Sequence, residues 1–440
     1  MSKFFVSGGG TATVGLLMLW ALWFSTPRFP VPWENARVPE EISTAFITIP
    51  ISNCSSNTTI IHHDPTNTTG YFSYDDPDNA TFYDDPDLGY TLESPINDWD
   101  QKRQVWLNHH PSLAAGVGDR IFVLTGSQPW ACKNPIGDHF LLRLFKNKVD
   151  YCRIHGYDLY YSDAFMQPKM TTFWAKLPVV RATMVAHPEA EWIWWVDSDA
   201  VITDIDFKFP LEKYKEHNLV VDGWPNLIYE NRSWIGLNAG VFLIRNCQWS
   251  LDFIRVWANM GPMGPDYKKW GQILKQTLKD KSYPDSDDQS ALIYLLLEQK
   301  ESWANRIYIE NKYALSGFWG GLVDSFENIT KGIEEIEKGD KRLSRRHAEK
   351  VRERYGRLKE EVYVKAGITR RPFVTHFTGC QPCSGEHPSY SDEACWGGMK
   401  KALDFADDQV VRGFGFRRID DRNGSEILQP LPPPPANASA

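Results

Sequence analysis

Two aspartates separated by one residue are the first candidates for chemistry in this sequence. Asp197-Ser198-Asp199 follows Trp192–Val196, an apolar run with the length of a buried strand. Two carboxylates at a strand end can both approach a hard divalent cation such as Mn²⁺ or Mg²⁺, and that cation could bridge to a diphosphate. The alternative is an edge turn with two solvated acids. The position directly after a strand favours the metal site.

A second element, Asn238-Ala239-Gly240, is expected just before another buried strand at residues 241–244. A glycine lets the backbone approach a ligand closely. Asn238 could then donate a hydrogen bond to, or accept one from, a sugar hydroxyl. A tight turn without a ligand is the alternative.

Asp287-Asp288-Gln289 precedes a predicted apolar helix over residues 291–297. An acid at this point can cap the helix and interact with its dipole. Capping needs one acid, so we expect the second carboxylate and the amide to remain for other work. A carboxylate here could stabilise an electron-poor anomeric carbon.

His376 lies in an apolar run and is followed by Gly379, Gln381 and two cysteines. A lone histidine in such a run is usually a core residue, but a neutral imidazole is also a nitrogen ligand for Mn²⁺. The three clustered cysteines could suggest zinc. Disulfides are favoured, with Cys132 as a further partner and the pairing left open. The clustered cysteines are Cys380, Cys383 and Cys395.

Alternating strand and helix patterns from Arg120 onward position these residues. They predict an α/β fold with a mainly parallel sheet and helices on both faces. Ligands of such sheets bind beyond the carboxyl ends of the strands, where Asp197 and Asp199 are expected. Strands are predicted at residues 121–125, 157–161, 192–196, 219–221, 241–244, 307–309 and 373–377, and helices at residues 138–155 and 172–187.

The first 94 residues differ in composition from the rest. Residues 4–27 carry no charge and are just long enough for a membrane span of about 20 residues, although a cleaved signal peptide is the rival interpretation. Four Asn-x-Ser/Thr sites crowd the polar stretch after it, which suits a lumenal stem. We predict a cytosolic tail (1–3), a transmembrane signal anchor (4–27), a stem (28–94), a catalytic domain (95–420) and a disordered Pro-rich tail (421–440).

The net charge of -8 argues against a nucleic-acid partner, because neutralising phosphates needs a clustered excess of lysine and arginine. The 18 tryptophans could stack on sugar rings, although core packing accounts for most of them.

Taken together, the motifs closely resemble glycosyltransferase family 34, in its plant branch of galactomannan galactosyltransferases and xyloglucan xylosyltransferases. The likeness covers about residues 82–416. It rests on the segments 126–129, 134–139, 192–199, 237–246, 287–291 and 376–383.

The resemblance implies a single catalytic domain of the GT-A type, which is a Rossmann-like nucleotide-sugar-binding fold. It implies a retaining enzyme with Mn²⁺ and a nucleotide-sugar donor. Together with the predicted anchor and the crowded Asn-x-Ser/Thr sites, this leads us to expect a type II protein of the Golgi membrane with its catalytic domain in the lumen. By resemblance, the metal ligands are Asp197, Asp199 and His376, the catalytic residues are Asp287, Asp288 and Gln289, and the donor-binding residues are Ser198, Asn238, Gly240, Gly379 and Gln381.

Within the family, residues 82–86, 260–262 and 379–383 look like the galactosyltransferases. Xylosyltransferase relatives usually carry lysine where this chain has Gln381, and a glutamine cannot neutralise phosphate. The resemblance therefore implies α-1,6-transfer of galactose from UDP-galactose to mannosyl units of a β-1,4-mannan, a polysaccharide of the plant cell wall. The alternatives are UDP-xylose transfer to a β-1,4-glucan, a catalytically silent Golgi partner and a metal-dependent hydrolase. A polysaccharide synthase or a second copy of the chain are further expected partners.

Overall fold

The computed structural model of the protein describes residues 81–343, 354–367, 370–383, 390–420 and 426–431. The predicted anchor at 4–27 and most of the predicted stem lie outside these ranges. Among the described helices, none is both long and apolar enough to cross a membrane.

Strands and helices alternate as the sequence predicts. The strands of the described residues are β1 (Ile121–Gly126), β2 (Asp158–Ser162), β3 (Trp192–Val196), β4 (Ala200–Ile202), β5 (Leu219–Gly223), β6 (Leu237–Arg245), β7 (Ile307–Glu310), β8 (Gly317–Phe318), β9 (Val374–His376), β10 (Phe416–Asp420) and β11 (Glu426–Pro430). The α-helices are α1 (Trp99–His109), α2 (Pro111–Ala114), α3 (Pro135–His155), α4 (Lys176–Ala186), α5 (Pro225–Tyr229), α6 (Gln248–Ala258), α7 (Tyr267–Thr277), α8 (Asp288–Glu298), α9 (Lys300–Trp303), α10 (Trp319–Leu322), α11 (Phe326–Gly339), α12 (Arg354–Lys365) and α13 (Asp392–Gly413).

The main sheet has six strands in the order β2-β1-β3-β6-β5-β7. β1 is parallel to β2 and β3, and β5 is parallel to β7. Only β6 runs in the opposite direction, antiparallel to β3 and β5. The predicted mainly parallel sheet is therefore confirmed, with β6 as the exception. An apolar run carries no information about direction, so the sequence did not reveal this reversal.

The central strand β3 is buried on both faces of the sheet. Trp192 and Trp194 pack into the apolar cluster on one face, with side chains of α3 and α13. Ile193 and Trp195 pack into the cluster on the other, with side chains of α4, α6 and α8. Helices thus cover both faces, as expected for a strand that reads as a continuous apolar run.

A second, smaller sheet has the order β4-β9-β8. β9 is antiparallel to β4, with Ala200 opposite His376, and parallel to β8, with Phe318 opposite His376. Because β4 begins directly after Asp199, this sheet carries His376 to the end of β3.

Two predicted domain boundaries are corrected by the structure. Leu88 and Leu92, in the predicted stem, are buried in the core, so the folded domain begins earlier than residue 95. β11 lies in the segment predicted as a disordered tail but pairs with β10, which precedes that segment. Residue 421 is therefore too early a start for the tail.

The three clustered cysteines and Cys132 form disulfides, as predicted. Cys132 pairs with Cys383 and Cys380 pairs with Cys395. Within the described residues, Cys152 and Cys247 are free thiols.

Candidate metal and donor site

Asp197, Asp199 and His376 meet at the carboxyl end of β3. The pairing of Ala200 with His376 places β9 beside the Asp197–Asp199 turn, and the Phe377 N–H donates to the Asp199 carbonyl over 3.1 Å. One ligand atom from each of the three residues lies within 4.8 Å of the others. The structure therefore brings together the three residues for which the sequence predicts metal ligation.

The chemistry of this donor set fits a divalent cation. His376 Nε2 lies 3.1 Å from Asp199 Oδ1 and 3.8 Å from Asp197 Oδ2. The imidazole is buried, whereas 27% of the Asp197 side chain and 20% of the Asp199 side chain are exposed. Two carboxylates and one imidazole are a usual ligand set for Mn²⁺, and the carboxylates remain open to a ligand from solvent.

A proton on His376 competes with a cation for the space between the imidazole and the two carboxylates. Burial of His376 acts against a charged imidazole, but the charge of Asp199 and its hydrogen bond, with a smaller contribution from Asp197, hold the pKa of His376 above its ordinary value. A cation bound between the carboxylates would displace that proton, since a metal ligand must be deprotonated.

Gly240 permits the close approach of β6 to this cluster. The Asp197 N–H donates to the Gly240 carbonyl over 2.9 Å. A Cβ atom at Gly240 would lie 2.3 Å from His376 Cε1 and 2.6 Å from Asp197 Oδ2, so no side chain fits there. Asn238 and Gly240 lie inside β6, which begins at Leu237, and not just before the strand as predicted. Because β6 is reversed, its first residues share an edge with the last residues of β3.

Lys176 is a member of the site that the sequence analysis missed. It is the first residue of α4 and is buried, with Nζ 2.9 Å from Asp288 Oδ2 and 3.4 Å from Asp197 Oδ1. Burial opposes its charge, but these two carboxylates raise the pKa of Lys176 above its ordinary value. A lysine at the start of a largely apolar helix was the available signal, because buried charges are normally paired.

Asp287 serves the fold of α8. Its Oδ1 accepts the Ser290 N–H over 2.8 Å as the helix cap, and its Oδ2 lies 2.5 Å from Lys281 Nζ. Both members of this ion pair are almost completely buried. The capping role that the sequence suggested is therefore present.

Asp288 and Gln289 differ in the partners of their side chains. Gln289 donates to the Trp234 carbonyl over 2.9 Å and accepts the Ala239 N–H over 3.3 Å, so each atom of its amide has one protein partner, and its catalytic role stays a prediction. Asp288 faces Lys176, and burial raises the pKa of this carboxyl to about 6, although Lys176 acts in the opposite direction. Of the three residues, Asp288 is the one connected to the metal-ligand cluster.

Lys148 stabilises the Asp197–Asp199 turn through hydrogen bonds to backbone carbonyls. Its buried Nζ donates to the carbonyls of Ala200 over 2.7 Å and Ser198 over 3.3 Å, and lies 3.4 Å from the Leu144 carbonyl. Burial lowers the pKa of Lys148 to about 7. Ser198 is thereby tied into the turn through its backbone.

Gly379 and Gln381 lie in the loop after β9. Gly379 has a φ of +85°, in the left-handed region that favours glycine. The disulfides Cys380–Cys395 and Cys132–Cys383 join this loop to α13 and to the segment after β1. Gln381, between the two disulfides, is half-buried. The donor-binding role of both residues stays a prediction.

Most tryptophans of the described residues serve packing, as the sequence analysis expected. Trp130 and Trp224 are the clear exceptions, 63% and 47% exposed, and they follow the carboxyl ends of β1 and β5. The buried ones are Trp99, Trp106, Trp174, Trp192, Trp194, Trp195, Trp234, Trp257 and Trp319.

A family model described as the galactosyl transferase GMA12/MNN10 family matches residues 118–387. Glycosyltransferase 6 of Arabidopsis thaliana is 56% identical over 386 residues, which cover 86% of this chain and 89% of that protein. Galactomannan galactosyltransferase 1 of Cyamopsis tetragonoloba is 56% identical over 359 residues, 81% of this chain and 82% of that protein. Probable xyloglucan 6-xylosyltransferase 5 of Arabidopsis thaliana is 46% identical over 333 residues, 75% of this chain and 66% of that protein.

Two solved structures show a distant likeness. A glycosyltransferase involved in glycosylation of the major capsid of PBCV-1 has a TM-score of 0.36 at 12% identity, covering 64% of this chain and 99% of that one. Galactosyltransferase LgtC, in complex with donor and acceptor sugar analogs, has a TM-score of 0.28 at 10% identity, covering 63% and 95%.

Proposed function

The chain belongs to the galactosyl transferase GMA12/MNN10 family, and we propose that it moves galactose from UDP-galactose to mannosyl units of a β-1,4-mannan. The observation that carries this choice of substrates is the 56% identity to a galactomannan galactosyltransferase over 81% of the chain. The clustered Asp197, Asp199 and His376 support the activity itself, since they offer the ligands that a nucleotide-sugar transferase needs for a cation.

Each residue of the cluster has a part in this proposal. Asp197, Asp199 and His376 would hold Mn²⁺, which when bound offsets the negative charge of the departing diphosphate. Lys176 balances the charge of Asp197 and Asp288, two carboxylates that would otherwise repel each other. Asp288 would place a carboxylate beside the donor sugar, where positive charge develops at the anomeric carbon.

Retention of configuration is expected from attack on the same face as the leaving group. The bond between the anomeric carbon and the diphosphate oxygen breaks, and a bond from that carbon to the acceptor oxygen forms. The proton of the acceptor hydroxyl goes to the leaving phosphate oxygen, so no separate protein base is required.

The setting of the reaction is part of the same proposal. The catalytic domain would have the GT-A arrangement and lie in the Golgi lumen, with residues 4–27 as the membrane anchor. A nucleotide-sugar donor and a polysaccharide acceptor follow from membership of the family, and UDP-galactose and mannan are the specific choices.

The rival function is xylose transfer to a β-1,4-glucan. It is favoured by the 46% identity to a protein named as a probable xyloglucan xylosyltransferase. Galactose carries a hydroxymethyl group that xylose lacks, so the donor pocket of a galactosyltransferase needs additional room. Gln381, in place of the lysine expected for xylosyltransferases, supports galactose.

The test is transfer by the purified full-length chain in Mn²⁺, with UDP-galactose or UDP-xylose offered to mannan or cello-oligosaccharides. Mass spectrometry of the products separates the outcomes. We expect a hexose added to the mannan series only. A pentose added to the glucan series would replace the proposed substrates and leave the metal site in place, and no transfer by a folded protein would refute the proposed activity.

A further inference from the structure

A buried chain of hydrogen bonds lies behind His376. The Ser316 hydroxyl oxygen is 2.8 Å from Asn238 Oδ1 and 2.9 Å from His376 Nδ1. The Gly240 N–H donates to the same Asn238 oxygen over 2.9 Å. A backbone N–H can only donate, so the Asn238 atom in this position must be the carbonyl oxygen and not the amide nitrogen.

The direction of every hydrogen in the chain follows from that one backbone donor. The Asn238 oxygen is an acceptor, so the Ser316 hydroxyl must give it its single hydrogen. The Ser316 oxygen is then left with lone pairs only, and it has to accept a hydrogen from His376 Nδ1. His376 therefore carries a hydrogen on Nδ1. Nε2 donates its own hydrogen to Asp199 over 3.1 Å, and a cation bound there would take the place of that hydrogen while Nδ1 keeps the one it gives to Ser316.

We infer that Ser316 and Asn238 are positioning residues that hold His376 in its Nδ1–H tautomer, so that Nε2 is the metal-ligating atom. This inference rests on the proposed cation site of Asp197, Asp199 and His376. It changes the expected role of Asn238. Both lone pairs of its oxygen are occupied, by Gly240 and by Ser316, so this oxygen serves the protein and not a sugar.

The fold fixes each member of the chain. Asn238 lies in β6 opposite Asp222 of β5. The Val374 N–H donates to the Ala314 carbonyl over 2.8 Å, and Gly317 pairs with Thr375, so β9 anchors the segment that carries the Ser316 hydroxyl on both sides. His376 lies on β9 beside β8, which begins directly after Ser316. Ser316 is 6% exposed and His376 3%, so water has little access to replace these bonds.

The test measures Mn²⁺ binding by the full-length chain without any nucleotide sugar, through the electron paramagnetic resonance signal of unbound Mn²⁺. Partners that orient a metal-bound histidine are worth about 10- to 100-fold in metal affinity. We expect Ser316→Ala to weaken Mn²⁺ binding at least about tenfold, and Asn238→Ala to weaken it because it frees the Ser316 hydroxyl to donate to Nδ1. Asp324→Ala, at an 83% exposed side chain, is the matched control and should bind as the unmodified chain does.

The double variant Ser316→Ala/Asn238→Ala separates a shared positioning role from two independent structural effects. Because both residues act through His376, we expect its affinity to match that of Ser316→Ala alone, whereas independent effects would multiply. Near-ultraviolet circular dichroism establishes that the variants fold. Asn238→Ala, at a half-buried position, keeps the test available if Ser316→Ala fails to fold.

Three results would overturn the inference. The first is unchanged Mn²⁺ affinity in a folded Ser316→Ala variant, and the second is a multiplied loss in the double variant. Either removes the positioning role and leaves the proposed function standing. The third is an unmodified chain that transfers galactose yet binds no Mn²⁺, which removes the cation site and the positioning role with it.

Discussion

At the scale of single residues, the site is decided by which buried charges have partners. Asp197, Asp199 and His376 face one another with open carboxylates, whereas Asp287 is enclosed with Lys281. Both aspartate pairs looked alike in the sequence, because each follows or precedes an apolar element. What separates Asp197 and Asp199 from Asp287 is exposure, since a ligand from solvent can reach the first two carboxylates and not the third.

Asp199→Ala tests the metal-ligand set directly. We expect Mn²⁺-dependent transfer to fall at least about 100-fold, because losing a ligand should cost more than losing one of its orienting partners. The fold should survive, since the Asp199 carboxylate is partly exposed and is not required for the backbone pairing of β4 with β9. The measurements are initial transfer rate against Mn²⁺ concentration and the melting temperature.

Asp324→Ala again provides the control, because it removes an exposed carboxylate away from the cluster. Full activity of a purified, folded Asp199→Ala variant would sink the metal assignment.

Asp287→Asn and Asp288→Asn should fail in different ways. Asp287→Asn leaves the charge of Lys281 buried without its partner, so we expect the free energy of unfolding to drop by about 3–5 kcal/mol. Asp288→Asn leaves Lys176 paired with Asp197, so the stability loss should be smaller while transfer falls about 100-fold. Urea unfolding and the rate at saturating donor measure the two effects.

The opposite pattern, a stable but inactive Asp287→Asn variant, would return Asp287 to the catalytic residues.

At the scale of elements, the sequence predicted individual strands and helices well and their directions less well. The apolar runs 121–125, 192–196 and 241–244 are all strands of the main sheet, because a continuous apolar run suits a strand buried on both faces. The reversal of β6 and the pairing of β4 with β9 depend on contacts between distant segments. Those two features are what bring Gly240 and His376 to Asp197, so the meeting of the site residues was implied by resemblance and not by the pattern.

The same limit explains the missed residues. Lys176, Lys148 and Ser316 belong to the site through hydrogen bonds and ion pairs across elements. A lysine at the start of a largely apolar helix such as α4 indicates only that some partner exists. The sequence does not show that the carboxylates of Asp197 and Asp288 are the partners of Lys176.

The contact of α3 with α13 and β10 should depend on pH through Asp407. This carboxylate lies 3.0 Å from both Arg143 and Lys146 of α3 and 3.1 Å from Arg418 of β10. Burial alone would raise the pKa of Asp407, but Lys146 and Arg143 hold it below the ordinary value. The unfolded chain therefore binds more protons than the folded chain as the pH falls, and the stability due to Asp407 is lost on acidification.

Asp407→Asn should lower the free energy of unfolding by about 1.5–3 kcal/mol at pH 7. The difference from the unmodified chain should narrow as the pH drops below about 4, the ordinary value for an aspartate. Urea unfolding at several pH values measures it, with Asp324→Asn as the exposed control. A difference that stays constant with pH would mean that the loss is one of packing and not of charge.

At the scale of the whole molecule, the core of the catalytic domain includes side chains from a segment that the sequence analysis assigned to the stem. Leu88 and Leu92 pack into the cluster on the α4 face of the sheet. The guanidinium of Arg181, on α4, donates to the carbonyls of Thr91 over 2.7 Å and Gly89 over 3.0 Å. Polar composition misled here because, among the described residues 81–94, Leu88 and Leu92 are the apolar side chains buried in this cluster before Ser94, with Phe82 packed against it.

A chain that begins at residue 93 should therefore be much less stable than one that begins at residue 78. Burying one leucine contributes roughly 1.5–3 kcal/mol, so losing Leu88 and Leu92 should cost roughly 3–6 kcal/mol. Arg181 would also lose the carbonyls of Gly89 and Thr91 that its buried charge needs.

Arg181→Met then discriminates between the two causes of this instability, the loss of the buried leucines and the loss of the Arg181 partners. In the chain from residue 78 the Arg181→Met substitution should lower the melting temperature, because it leaves the carbonyls of Gly89 and Thr91 without their hydrogen-bond donor. In the chain from residue 93 it should raise the melting temperature, because it removes a buried cation that has lost two of its carbonyl partners and keeps only that of Ser94. Equal melting temperatures for the two lengths would instead place the start of the folded domain at the originally predicted boundary.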